Sequence, residues 1–104
     1  MLAGLLLASS IAAAASAEKG KAAYVKHGCW QCHGFDGQGS VAGVKIAPNP
    51  MPFEALSAYV RNTNSSMPPY AKAVLSDADL ADIYAYLQSI PKAPDPKTIP
   101  LLSR

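Results

Sequence analysis

The segment Cys29-Trp30-Gln31-Cys32-His33 gathers both cysteines and one of the two histidines of a 104-residue chain. A chain of this length forms one domain. A domain this small buries little apolar surface, and it often relies on a disulfide, a metal or a cofactor for stability. The thiol–imidazole cluster is therefore the first candidate for a staple. The rest of the composition narrows the class. Half of the residues are hydrophobic and 15% are charged, which excludes a disordered polyelectrolyte. Nine Lys and Arg against seven Asp and Glu cannot form a strong basic stripe, so nucleic acid is not an expected partner.

Residues 1–17 read as a signal peptide. Met1–Ala17 carries no charge, has a short apolar middle and ends in Ala15-Ser16-Ala17. That ending is the small-x-small pattern a signal peptidase needs. The apolar run is shorter than the about 20 residues that cross a bilayer. The rival readings are an uncleaved anchor or a buried helix. The expected organisation is a cleaved leader over 1–17, a folded domain over 18–90 and a Pro-rich tail over 91–104, with the mature protein in the periplasm.

Three amphipathic helices follow, and no strand pattern is present, so the expected fold class is all-α. Ala17–His27 has good helix formers and ends at Gly28, a plausible stop. The stretch from Phe35 to Pro52 is rich in Gly and Pro and reads as loop. Pro52–Asn62 is a short helix with Leu56, Tyr59 and Val60 on one face. Ser76–Ser89 is the clearest: Ser76 is an N-cap, Asp77 and Asp79 suit the helix dipole, and Leu80, Ile83, Tyr84 and Leu87 form the apolar stripe. The tail from Pro91 to Arg104 reads as extended.

Cys-x-x-Cys-His is the attachment signature of a c-type haem. Each thiol of Cys29 and Cys32 can form a thioether with one haem vinyl group, and His33 then serves as the proximal iron ligand. Three other readings compete. A thioredoxin-type pair needs a βαβ setting that this chain lacks. A zinc site needs four ligands, and His27 is the only other imidazole. A structural disulfide is permitted in an exported protein. An electron-transfer haem takes a second axial ligand, commonly methionine. Met67, in Ser65-Ser66-Met67-Pro68-Pro69-Tyr70, lies farther along the chain from His33 than Met51 does. It has the longer reach needed for the distal face.

With these residues in view, the chain resembles a small monohaem class I cytochrome c of exported bacterial type over roughly its whole mature length. In that family a glycine and an aromatic on the first helix cross an aromatic–Leu pair on the last, and Gly20, Tyr24, Tyr86 and Leu87 stand in those places. The attachment motif matches at Cys29, Cys32 and His33, and the Met-Pro motif at Met67-Pro68. The resemblance implies three main helices around one covalent haem c, with His33 and Met67 on the iron. One departure is Gly43-Val44-Lys45-Ile46, where the family often has Gly-Pro-x-Leu and uses the proline carbonyl to orient the proximal imidazole. Val44 offers a carbonyl in the same place, and Pro48 is the alternative.

With both axial positions filled, the iron can only gain and lose an electron. The expectation is a periplasmic one-electron carrier rather than an enzyme, serving redox proteins such as a periplasmic dehydrogenase or a respiratory acceptor, with no small-molecule substrate. It could be the cytochrome subunit of a dehydrogenase complex. The alternative is a haem-based sensor or enzyme of gas or peroxide with a labile distal Met67. Trp30 and Phe35 are expected at the haem rim. His27 is expected to be a solvated helix end, Tyr59 and Tyr70 to pack with wet hydroxyls rather than point them at the haem or the Met67 sulfur, and Leu101-Leu102 to fray, pack on the domain or lie on a partner subunit.

Overall fold

A computed structural model describes Gly4 and residues 14–102. Most of the expected leader, and the last two residues of the tail, lie outside the described residues. Four α-helices follow in order: α1 Ala17–Lys26, α2 Trp30–His33, α3 Phe53–Asn62 and α4 Asp77–Ser89. No strand occurs among the described residues, so the fold is all-α, as expected from the sequence.

The helix termini follow local chemistry. Ser16 caps α1 by accepting the Lys19 N–H at 3.2 Å, and Ser76 caps α4 by accepting the Asp79 N–H at 3.1 Å. Pro52 stands just before α3, where its missing N–H costs nothing. Two differences from the sequence reading appear. The turn Trp30–His33, within the attachment motif, is helical. The tail is not simply extended: Pro96–Thr98 and Pro100–Leu102 form 3₁₀ turns, the first begun by Asp95, whose carboxylate accepts the Lys97 N–H at 2.9 Å. Such short turns carry no apolar period, so periodicity could not reveal them. Leu101 and Leu102 are exposed.

The core sits where α1 crosses α4, the most extensive contact between elements. Gly20, Ala23 and Tyr24 meet Leu80, Ile83, Tyr86 and Leu87 there. A Cβ on Gly20 would overlap the Asp82 carbonyl, so only glycine permits this approach. Beside it, the Tyr24 and Tyr86 rings lie 5.4 Å apart at 56°. Tyr86 replaces Tyr84 on the buried stripe read from the sequence. Tyr84 instead lies on the flank, with its ring edge on Phe53 at 5.3 Å. Leu75 and Val60 bring α3 and the loop before α4 into the same core. The exposed member of the α3 face is Tyr59, whose hydroxyl meets Ser65 Oγ at 3.3 Å.

Burial raises the hydroxyls of Tyr24, Tyr70 and Tyr86 above the ordinary tyrosine value of 10.0. The folded state therefore keeps these protons at a pH where the unfolded chain loses them. The resulting stability is complete below pH 10 and falls as pH rises above it. Tyr24 alone, fully buried, should account for a loss of about 1 kcal/mol by pH 11. Urea midpoints measured at pH 9 and pH 11 should show that fall, and Tyr24→Phe should make it shallower.

Candidate haem site

α2 brings the motif together. Its single turn is closed by His33 N–H donating to the Cys29 carbonyl at 3.0 Å and Gly34 N–H donating to Trp30 at 2.9 Å. Cys29, Cys32 and His33 thus stand at i, i+3 and i+4 of one helical turn, which places them on one face. α2 is anchored to α1 by the Cys29 N–H, which donates to the Tyr24 carbonyl at 3.1 Å. The two cysteines are not joined to each other. Burial pushes the Cys29 thiol up to about 11, so it stays protonated and is a poor redox nucleophile.

The loop after α2 wraps back over it. His33 Nδ1 donates to the Val44 carbonyl at 2.7 Å. A carbonyl can only accept, so Nδ1 carries the proton and Nε2 is left as the ring's lone-pair nitrogen. This is the bond expected at Val44, made without the family's proline. The loop is held close by Ser40, whose Oγ donates to the Cys32 carbonyl at 2.6 Å, and by Gly43, where a Cβ would press on that same carbonyl at 2.7 Å. Two buried phenols fix the chain just beyond His33. Tyr24 donates to the Gly34 carbonyl at 2.6 Å, and Tyr86 to the Phe35 carbonyl at 2.7 Å.

The second methionine loop is braced independently. Met67 is half-buried and packs against the core, as Cys29, Trp30, Leu56 and Tyr70 also do. Met51 is 47% exposed. Ahead of Met67, Thr63 Oγ1 accepts the Ser65 N–H at 3.3 Å. Behind it, Tyr70 N–H donates to the Val60 carbonyl at 2.9 Å. Arg61 then ties the segment down: Nη1 donates to the carbonyls of Tyr70 at 3.0 Å and Leu75 at 2.6 Å, and Nη2 to Asp77 Oδ1 at 2.8 Å. That last bond holds the Asp77 carboxyl below its usual range. The sequence reading had missed Arg61; an Arg on α3 facing a Pro-rich loop carries no motif. Arg61→Gln should cost about 2 kcal/mol, since it leaves buried carbonyls without their charged donor. Thermal unfolding, with the near-ultraviolet signal of Tyr70 as a second readout, should show it.

Two side chains differ from expectation. Tyr70 does not leave its hydroxyl wet: it donates to the His27 carbonyl at 2.9 Å, joining the Met67 loop to the end of α1. His27 is not a solvated helix end. Its ring stands edge-on to Tyr70 at 6.2 Å, and its Nε2 is buried without a partner. Trp30 and Phe35 stack at 4.7 Å with their planes 6° apart, and Phe35 is exposed.

Residues 15–87 match the family model described as cytochrome C oxidase, cbb3-type, subunit III. The chain belongs to this family. No curated protein and no solved structure matches it. The match spans both the attachment motif and the Met67 loop. It makes the chain a small cytochrome c: an all-α electron-transfer protein that works through haem. The residues of this cytochrome fit that group. One helical turn presents two thiols and an imidazole, the imidazole's Nδ1 proton is committed to the Val44 carbonyl so that Nε2 keeps its lone pair, and partly buried apolar side chains such as Leu56 and Met67 pack on the core. Among the described residues no group of three or more His, Cys, Asp or Glu is arranged to hold a metal ion, which does not support the zinc reading. No helix among them is long and apolar enough to cross a membrane.

Proposed function

We propose that this cytochrome is a periplasmic one-electron carrier with one covalently bound haem c, held by Cys29 and Cys32 and ligated by His33 and Met67. The observation that carries the proposal is the one-turn helix α2, which sets both thiols and His33 on one face while Val44 holds the imidazole by Nδ1. Bound there, the haem supplies a reversible Fe(III)/Fe(II) couple. The chain's own residues do the rest. Val44 fixes the ring orientation of His33 and increases its donor strength. Arg61, Tyr70 and the Thr63–Ser65 turn hold the loop that carries Met67. This bracing favours a closed carrier over a sensor with a labile methionine. Partly buried apolar side chains such as Leu56 and Met67 would lower the polarity around the group, which favours the less charged reduced form. The stacked pair Trp30 and Phe35 offers an apolar patch for brief contact with a redox protein such as a periplasmic dehydrogenase or a respiratory acceptor.

The leader sequence ahead of α1 directs export. The test is to express the full chain in a host able to mature c-type cytochromes. The periplasmic protein should be heavier than its polypeptide by one haem, and the haem should survive denaturation and extraction with acidified solvent. Its reduced form should bind carbon monoxide poorly. Colourless protein of polypeptide mass would overturn the reading.

A further inference from the structure

We propose that the leader is cut between Ala15 and Ser16, and that the α-ammonium group so created on Ser16 pairs with Asp82. The inference rests on the export reading above and adds the processing site and the role of the new terminus.

The small-residue stretch Ala12-Ala13-Ala14-Ala15-Ser16-Ala17 satisfies the small-x-small requirement at several adjacent bonds. The sequence reading took the bond after Ala17, and the structure separates it from the others. Ser16 is the first residue that the fold uses. Its carbonyl accepts the Gly20 N–H at 2.8 Å, its Oγ accepts the Lys19 N–H at 3.2 Å, and its own N–H donates to Asp82 Oδ1 at 2.8 Å. A cut after Ala17 removes all three bonds. It leaves α1 without its cap and Asp82 without its partner, at the helix crossing where Gly20 lies on the Asp82 carbonyl. Ala14 and Ala15 are exposed and line a groove of about 340 Å³ beside α4, outside the core. Losing them removes nothing the fold depends on.

Hydrolysis adds water across the Ala15–Ser16 amide. Ala15 leaves with the carboxylate, and Ser16 keeps the amine, which takes up a proton. The nitrogen that lies 2.8 Å from a carboxylate as an amide donor then becomes a cation. That turns a neutral donor into a charge-assisted one. A positive charge at a helix N-terminus is otherwise unfavourable, and Asp82 offsets it. The other charged groups near this terminus are Glu18 and Lys19 on α1 and Asp79 on α4, with Lys19 and Asp79 lining the same groove.

The test is intact mass and N-terminal sequencing of the haem-loaded protein recovered from the periplasm. Residues 16–104 plus haem are expected, with Ser16 first. A chain beginning at Glu18, or at any other residue downstream of an intact export step, overturns the cut while leaving the export reading standing. A chain that keeps Met1 overturns both. The pairing has its own readout. Acylation of the α-amine at pH 7 should be about tenfold faster in Asp82→Asn, the change expected for roughly one unit of pKa. An unchanged rate overturns the ion pair.

Discussion

A Met67→Ala variant is expected to lose the weak far-red absorption of a sulfur–iron bond, to bind carbon monoxide readily when reduced, and to fall sharply in reduction potential. The drop should be a substantial part of the ~0.8 V range over which axial ligands set haem potentials. The argument is positional. Met67 is half-buried against the core, whereas Met51 is half in solvent between two prolines. The Met67 loop is held at both ends. Thr63 and Ser65 shape its entry, and Tyr70 bonds back to α3 and to His27. Removing the thioether should therefore leave a preserved loop with an open coordination position rather than a rearranged domain. Met51→Ala is the matched control and should keep the far-red band. If Met51→Ala is the variant that abolishes it, the ligand assignment is wrong.

Gly20→Val is expected to be the most damaging single substitution in the scaffold. The side chain would enter space held by the Asp82 carbonyl and the Ile83 N–H, which are backbone atoms that cannot rotate away. α1 and α4 would have to separate, and with them the Tyr24–Tyr86 ring contact and the burial of Leu80 and Leu87. Overpacking usually costs 1–3 kcal/mol; against backbone the cost should reach about 4 kcal/mol. For a domain of this size that lowers Tm by roughly 20 °C. The same separation would shift α2, since Cys29 hangs from the Tyr24 carbonyl. The haem-bound yield should therefore drop together with Tm. A thermal melt of the holoprotein, read beside its haem-to-protein absorbance ratio, checks both. A melt within a few degrees of the parent chain would show that the crossing is softer than the close approach implies.

What could be read before the fold was known follows a physical division. Short-range signals were legible. Ser76 stood before Asp77 and Asp79, and Pro52 stood at a helix start; each marks a terminus through its own local chemistry, whereas the Ser16 cap of α1 went unread. The motif Cys29–His33 was legible because attachment chemistry fixes its spacing. The Val44 carbonyl was legible by register alone, since a backbone oxygen is present whatever the side chain. The contacts between distant segments were not. Tyr70 reaching His27 and Arg61 reaching Leu75 and Asp77 depend on where two loops meet in space, and no local pattern encodes that. Tyr84 and Tyr86 are two positions apart on α4, and the apolar period chose the flanking one; the ring of Tyr24 decides the matter. Ala17, the last residue of the expected leader, is the first residue of α1, and a peptidase pattern and a helix cap draw on the same small residues.

The two phenols that donate to the Gly34 and Phe35 carbonyls come from α1 and α4, so the chain next to His33 is fastened to both sides of the helix crossing. A redox centre mounted in this way changes charge with little displacement of the atoms around it. Self-exchange between oxidised and reduced molecules should then be limited by how closely two haem edges approach through the Trp30–Phe35 surface, and only weakly by nuclear rearrangement within each molecule.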